Sequence, residues 1–239
     1  HFREFLADEL GVAAERVLSW EMCLHDTQQP CAAGRDNEFL HAPRLDNLAC
    51  SHAALTAMLE QQQQDSEVTA VIALYDHEEV GSESNRGAAS SFTGDVLTRL
   101  AGTNRTDLSR AITHSLALSA DMAHGVHPNY PEKHDGDHNP ILGGGPVLKS
   151  NSSWRYATDS ETMGLVRALC DAEGIPLQDY VCRRDMRCGT TVGPILAAEL
   201  GVRSADIGSS MLSMHSIREM TSSRDYKQLV TLMSRFLNC

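Results

Sequence analysis

Apolar positions in this chain fall in short blocks, and the spacing within each block predicts an element. Val68-Thr69-Ala70-Val71-Ile72-Ala73-Leu74-Tyr75 is a near-continuous apolar, β-rich run. That is the pattern of a strand buried on both faces of a sheet. It stops abruptly at Asp76-His77-Glu78-Glu79, followed by Val80-Gly81. Open α/β sheets bind ligands outside the carboxyl ends of their strands, so Glu78 and Glu79 are expected on the edge of a crevice. Neighbouring residues at a strand end point in different directions, so one carboxylate can hold a metal while the other faces a substrate. Taken alone, so short a motif reads better as a solvated loop.

The rest of the chain is read in the same way. It begins with a short helix that Gly11 can end, then a strand from Val17 to Leu24. His25 to Asn37 is polar and turn-rich, which places a domain boundary between residues 1–33 and 34–239. One helix and one strand bury no core, so the first piece is expected to pack on something outside the chain. Leu48 to Gln64 carries Leu48, Ala49, Ala53, Leu55, Met58 and Leu59 at helical spacing, with Asp46 or Asn47 as N-cap. Helices are expected over 87–100 and 107–114. A strand from Ser115 to Ala120 then ends in Asp121.

A long loop rich in His, Asp, Pro and Gly follows, carrying His124, His127, His134 and His138 and closing at Gly143-Gly144-Gly145. Loops of that length are mostly functional or disordered. Pro146 to Ser150 reads as a short strand bearing Lys149. A helix over 159–172, a strand over 178–183, a helix over 189–200, a strand over 202–207 and an amphipathic helix over 223–237 complete the chain. The alternation argues an α/β fold, with a largely parallel or mixed sheet between layers of helix.

Composition narrows the function classes. At 239 residues and 41% apolar, the chain can bury a real core. A net charge of -12 argues against nucleic acid and anionic membrane as partners. Seven cysteines without CxxC spacing are read as free thiols of a reducing, cytoplasmic setting.

Asp46, Glu78, Glu79, Asp121 and His215 each lie in a loop after an apolar segment. Any one of them has an ordinary explanation as a cap or a surface residue. Together they form an oxygen and nitrogen donor set with no thiolate, which suits catalytic Zn²⁺, Mn²⁺ or Co²⁺. More donors than one ion needs suggest two ions sharing a carboxylate, with the remaining carboxylate free to act as a base.

Arg44-Leu45-Asp46-Asn47, Asp76-His77-Glu78-Glu79-Val80-Gly81-Ser82, Ser119-Ala120-Asp121-Met122-Ala123-His124, His127-Pro128-Asn129-Tyr130 and Met214-His215-Ser216-Ile217-Arg218-Glu219 resemble, in order, the motifs of the aspartyl aminopeptidases, dinuclear zinc peptidases. The resemblance covers essentially the whole chain. It implies that Asp46 bridges two ions, Glu79 and His215 complete one site and Asp121 belongs to the other. It implies Glu78 as general base, and His124, Lys149 and Tyr156 as lining of the substrate pocket. It further implies peptide substrates with an acidic N-terminal residue and a homo-oligomer, commonly a tetrahedral dodecamer.

One departure stands out. The family's first metal histidine lies in a His-x-Asp segment upstream of the bridging aspartate, and His1, His25 and His41 do not fit it. The chain is therefore expected to be a C-terminal portion, with residues 1–33 the tail of an inserted lid and oligomerisation domain. The competing reading is a non-catalytic homologue acting as an assembly or binding shell. Such a homologue would typically have lost the base or a ligand.

Overall fold

The computed structural model describes residues 1–60, 68–102 and 104–239. Its strands are β1 (Cys31–Ala33), β2 (Phe39–Ala42), β3 (Leu116–Ala120), β4 (Ala123–His124), β5 (Pro146–Ser150), β6 (Gln178–Val181), β7 (Arg203–Leu212) and β8 (Glu219–Ser222). Its helices are α1 (Phe2–Leu10), α2 (Leu45–Glu60), α3 (Phe92–Ala101), α4 (Arg105–Ile112), α5 (Ser160–Glu173), α6 (Val192–Leu200) and α7 (Ser223–Leu237). Among the described residues, no helix is long and apolar enough to cross a membrane.

β7 is the axis of a single sheet ordered β1-β2-β8-β7-β5-β6, with β3 and β4 also paired to β7. The sheet is mixed. β3 and β4 run parallel to β7 and β5 runs parallel to β6, whereas β5 and β8 are antiparallel to β7 and β2 is antiparallel to β8. Side chains alternate across a strand, and β7 uses both faces. Ala205, Ile207 and Met211 join Leu148, Met122 and residues of α2, α5 and α7 in the main core. Asp206 points to the opposite face, toward Thr191 at the start of α6.

Local chemistry sets the helix ends. Asp159 caps α5, accepting from the Thr162 N–H at 2.8 Å, and Gly174 ends it in a left-handed conformation. Ser222 caps α7 by accepting from the Arg224 and Asp225 N–H groups. α2 departs from its expected face. Its buried positions are Cys50, Ala53 and Ala57, while Leu48, Leu55 and Leu59 are exposed. Small residues let α2 lie close against Leu229, Val230, Leu232 and Met233 of α7, and that close approach turns the leucines outward. Regular helix starts only after Asp46 and Asn47, whose dihedrals are non-helical. The glutamine end of the expected helix, residues 61–64, lies outside the described residues.

Two expected strands do not form. Residues 69–75 make no sheet pairing among the described residues. Val71 and Leu74 are exposed rather than buried on both faces. An apolar run becomes a strand only where a neighbouring backbone satisfies its N–H and C=O groups, and among the described residues no strand is bonded alongside residues 69–75. Residues 17–24 likewise form no strand. Val17 is buried, but Leu18, Trp20, Met22 and Leu24 are exposed. β1, β2, β4 and β8, four short strands, were not foreseen. β1 and β2 pair through Ala33 and Phe39, across the expected boundary at residues 33 and 34.

Candidate metal centre

The sheet brings two ends of the chain to one edge. β2 and β7 flank β8, and both run antiparallel to it. The segments leaving β2 and β7 therefore emerge together at the start of β8. Asp46 follows β2 and His215 follows β7. On the other side of β7, the Asp121 N–H donates to the Ile207 carbonyl at 2.9 Å, between β3 and β4. Gly208 permits that approach, since a methyl group there would stand 1.9 Å from the Asp121 carbonyl oxygen. The Asn47 amide donates to the Ala120 carbonyl at 2.7 Å and ties the Asp46 loop to the end of β3.

Three of the predicted side chains converge. His215 Nε2 lies 3.2 Å from Asp46 Oδ2 and 3.0 Å from Glu79 Oε2. One donor atom from each of the three lies within 4.8 Å of the others. Asp46 is 4% exposed, whereas Glu79 and His215 are 54% and 59% exposed, so the cluster is anchored inside and open outside. It lines a cavity of ≈ 430 Å³ together with Arg44, Ser216 and Glu219.

The electrostatics are those of a site built for a cation. Burial first, then Asp121 and Glu79, push the Asp46 carboxyl up to about 9. Asp46 Oδ1 is buried without a hydrogen-bond partner. Buried polar atoms are nearly always satisfied, and crowded carboxylates repel one another unless positive charge lies between them. Oxygen and imidazole donors without thiolate match catalytic zinc. These residues therefore fit a divalent metal ion.

Glu78 sits next to this cluster in a short 3₁₀ turn, Glu78–Val80. Burial, then Asp121 and Glu79, raise its carboxyl to about 7. The turn is held locally: the Ser82 N–H donates to the His77 carbonyl at 2.9 Å, and the His77 ring meets Ser84 Oγ at 2.7 Å. Gly87 closes the loop, because a methyl group there would stand 2.1 Å from the Ser82 carbonyl oxygen.

Lys149, which the resemblance expects to line the substrate pocket, is buried and already paired. It is 1% exposed, and its ammonium donates to Asp121 Oδ2 at 2.8 Å and to the Met122 carbonyl at 3.1 Å. Burial presses its pKa down, but Asp121 and Asp206 outweigh that and leave it raised. The alternating side of β5 that places Leu148 in the main core places Lys149 on the opposite face, beneath the metal loops. Tyr156 is buried too, its ring 5.3 Å from the Lys149 ammonium. Burial first, then Cys188 and Tyr180, raise the Tyr156 phenol. His124 stands exposed at the end of β4. The protein packed around its ring, then His134, Lys149 and His215, hold its imidazole below the usual value.

Comparison with known proteins shows the family. The profile of one family, Aminopeptidase I zinc metalloprotease (M18), matches residues 1–237. The chain belongs to the M18 family. Among its relatives is a probable M18 family aminopeptidase 2 of Pseudomonas savastanoi pv. phaseolicola, 46% identical over 239 residues. That alignment covers 98% of this chain and 55% of the relative. The protein of the same description in Pseudomonas entomophila is 48% identical over 233 residues, covering 98% of this chain and 53% of the relative. The chain thus spans about half the length of the curated relatives it matches. Among solved structures, the cryo-EM structure of the Ape4 and Nbr1 complex matches with a TM-score of 0.93 at 37% identity, covering 99% of this chain and 47% of that one. The S. cerevisiae mApe1 dodecamer matches at 0.86 and 32%, covering 99% and 54%.

Glu219 and Arg44 belong to the same M18-like motifs as His215 and Asp46, yet residue-type reasoning assigned them no role. Their place at the cavity depends on the pairing of β2 with β8, which no local pattern announces.

Proposed function

We propose that this chain is the catalytic portion of a metal-dependent aminopeptidase that removes an N-terminal residue, preferentially Asp or Glu, from peptides. The observation that carries the reading is the convergence of Asp46, Glu79 and His215 on one cavity, with Glu78 adjoining Glu79. Asp46, Glu79 and His215 would hold one zinc ion, and Asp46 and Asp121 would contribute to a second. Zinc held there supplies electrophilic activation of water and of the scissile carbonyl. Glu78 takes a proton from the attacking water and returns it to the leaving amine. Lys149 fixes the Asp121 carboxylate from beneath, and Tyr156 packs behind Lys149. His124, near enough to His215 to feel its charge, would meet substrate.

With Lys149 committed to Asp121, Arg44 is the cation lining the cavity, and it supplies the charge that receives an acidic side chain. The dodecamer of the mApe1 neighbour supports a homo-oligomer, and the unpaired thiols support a cytoplasmic setting. The test is turnover of aspartyl, glutamyl, alanyl and leucyl substrates by the zinc-loaded full-length protein. Cleavage of all four is expected, with the acidic pair preferred. Arg44→Met is expected to lower kcat/KM for the acidic pair most. Equal losses on all four would refute the specificity assignment, and no cleavage of any would refute the activity.

A further inference from the structure

Glu219 is a charged residue type that is 1% exposed, at the first position of the strand between the two ligand-bearing segments. Its register is fixed on both sides: Glu219 pairs with Ala42 of β2, and Met220 pairs with Leu212 of β7. The carboxylate divides its two oxygens between the two segments. Oε2 accepts from the Asp46 backbone N–H at 3.0 Å, and Oε1 accepts from the His215 backbone N–H at 2.6 Å. Asp46 and His215 are far apart in sequence, but here one side chain spans them. His215 also holds a left-handed φ of 66°, a conformation that a non-glycine residue keeps only when its surroundings enforce it. The hydrogen bond from its N–H to Glu219 is one such constraint.

We propose that Glu219 is a positioning residue that fixes the separation of the Asp46 and His215 side chains, and thereby sets the zinc affinity of the site. The proposal rests on the zinc-binding reading of this cluster. Glu219 reaches the metal-binding side chains only through their backbones, since both of its oxygens are engaged by N–H donors. Its charge-assisted hydrogen bonds tie the two loops directly to one side chain, in addition to the strand pairing of β2, β8 and β7. The sheet therefore arranges the site before metal arrives.

Glu219→Gln tests this, because an amide keeps the shape but offers one acceptor oxygen in place of two. In the full-length protein, competition against a chromogenic chelator is expected to show zinc affinity weakened by about 10–100-fold, the range for groups that orient metal ligands. The loss of zinc affinity is expected to exceed what any fall in the melting temperature of the metal-free protein accounts for. A merely structural role would lower that melting temperature and leave zinc affinity of the folded variant intact, and that result overturns the proposal. Hydrogen exchange on the metal-free wild type decides the matter should the variant fail to fold: slow exchange of the Asp46 and His215 amides is expected, and fast exchange at both overturns it. A wild type that takes up no zinc refutes the metal site as well. A wild type that binds zinc no more tightly than Glu219→Gln refutes the positioning role alone.

Discussion

The two halves of the candidate site are held in different ways. Asp46, Asp121 and His215 leave or interrupt strands around β7, and their backbones are tied into the sheet through Glu219, Ala120 and Ile207. Glu78 and Glu79 follow a segment, residues 69–75, that makes no strand pairing among the described residues, and are held by contacts within residues 75–93, such as Tyr75 Oη to Thr93 Oγ1 at 2.8 Å. Sheet-anchored groups open only with the whole domain, whereas a locally held loop can open alone. The proposed ligand scaffold is therefore preorganised, and Glu79 and the proposed base Glu78 sit on the more compliant side.

The largest expected effect lies on the compliant side. Glu78→Gln should lower kcat by about 10²–10⁴-fold, the usual worth of general acid–base help, with zinc content unchanged. Near-normal turnover with zinc in place would remove Glu78 from the proton-transfer role. On the scaffold side, Lys149→Met leaves Asp121 and Asp206 without their buried cation. It should cost about 3–5 kcal/mol of stability in urea denaturation. A loss of stability within error of wild type would mean that the pair is solvent-relaxed and does not support the scaffold.

Paired glycine substitutions sharpen the contrast at smaller scale. Gly208→Ala pushes on the Asp121 backbone inside the sheet, and overpacking of this kind costs about 1–3 kcal/mol. It should appear as a lower melting temperature. Gly87→Ala pushes on the Ser82 carbonyl, so the strain can be relieved by moving the Glu78–Glu79 loop. It should lower kcat with little change in melting temperature. Equal effects of both on melting would show that the loop is as firmly built as the sheet.

Most of the scaffold can be read from the sequence, and most of its edges cannot. β3, β5, β6 and β7 and the helices α5 to α7 follow strong apolar spacing flanked by glycines and caps. β8 reads Glu-Met-Thr-Ser and has no apolar alternation, because its residues are chosen by partners at the far end of the chain. The run from Val68 to Tyr75 misleads in the opposite direction: its composition is that of a buried strand, but residues 69–75 make no sheet pairing among the described residues. For the site, the residue types put Asp46, Glu78, Glu79, Asp121 and His215 in one donor set, and only the family resemblance implies Asp46, Glu79 and His215 as the ligands of one ion. The burial of Lys149 was hidden, since which face of β5 it occupies depends on a register that only the folded sheet defines.

The smallest effect calibrates the rest. Asp159→Ala removes the α5 cap and should cost about 1 kcal/mol. The Thr162 N–H, chiefly, holds the Asp159 carboxyl below its usual value. A carboxyl depressed by folding contributes stability above its unfolded pKa and loses it as pH falls through the folded one. The difference between wild type and Asp159→Ala should therefore be full at neutral pH and vanish in acid. A difference that grows on acidification would contradict the cap.

The central claim is that Asp46, Glu79 and His215 form a metal site organised by the sheet. Anomalous diffraction from crystals of the zinc-loaded full-length protein, collected on either side of the zinc absorption edge, tests it most directly. The account predicts an anomalous peak in contact with all three side chains, and its loss after chelation with Asp46 and His215 left in place on Glu219. A zinc-containing, active protein with no peak among these three residues would contradict it.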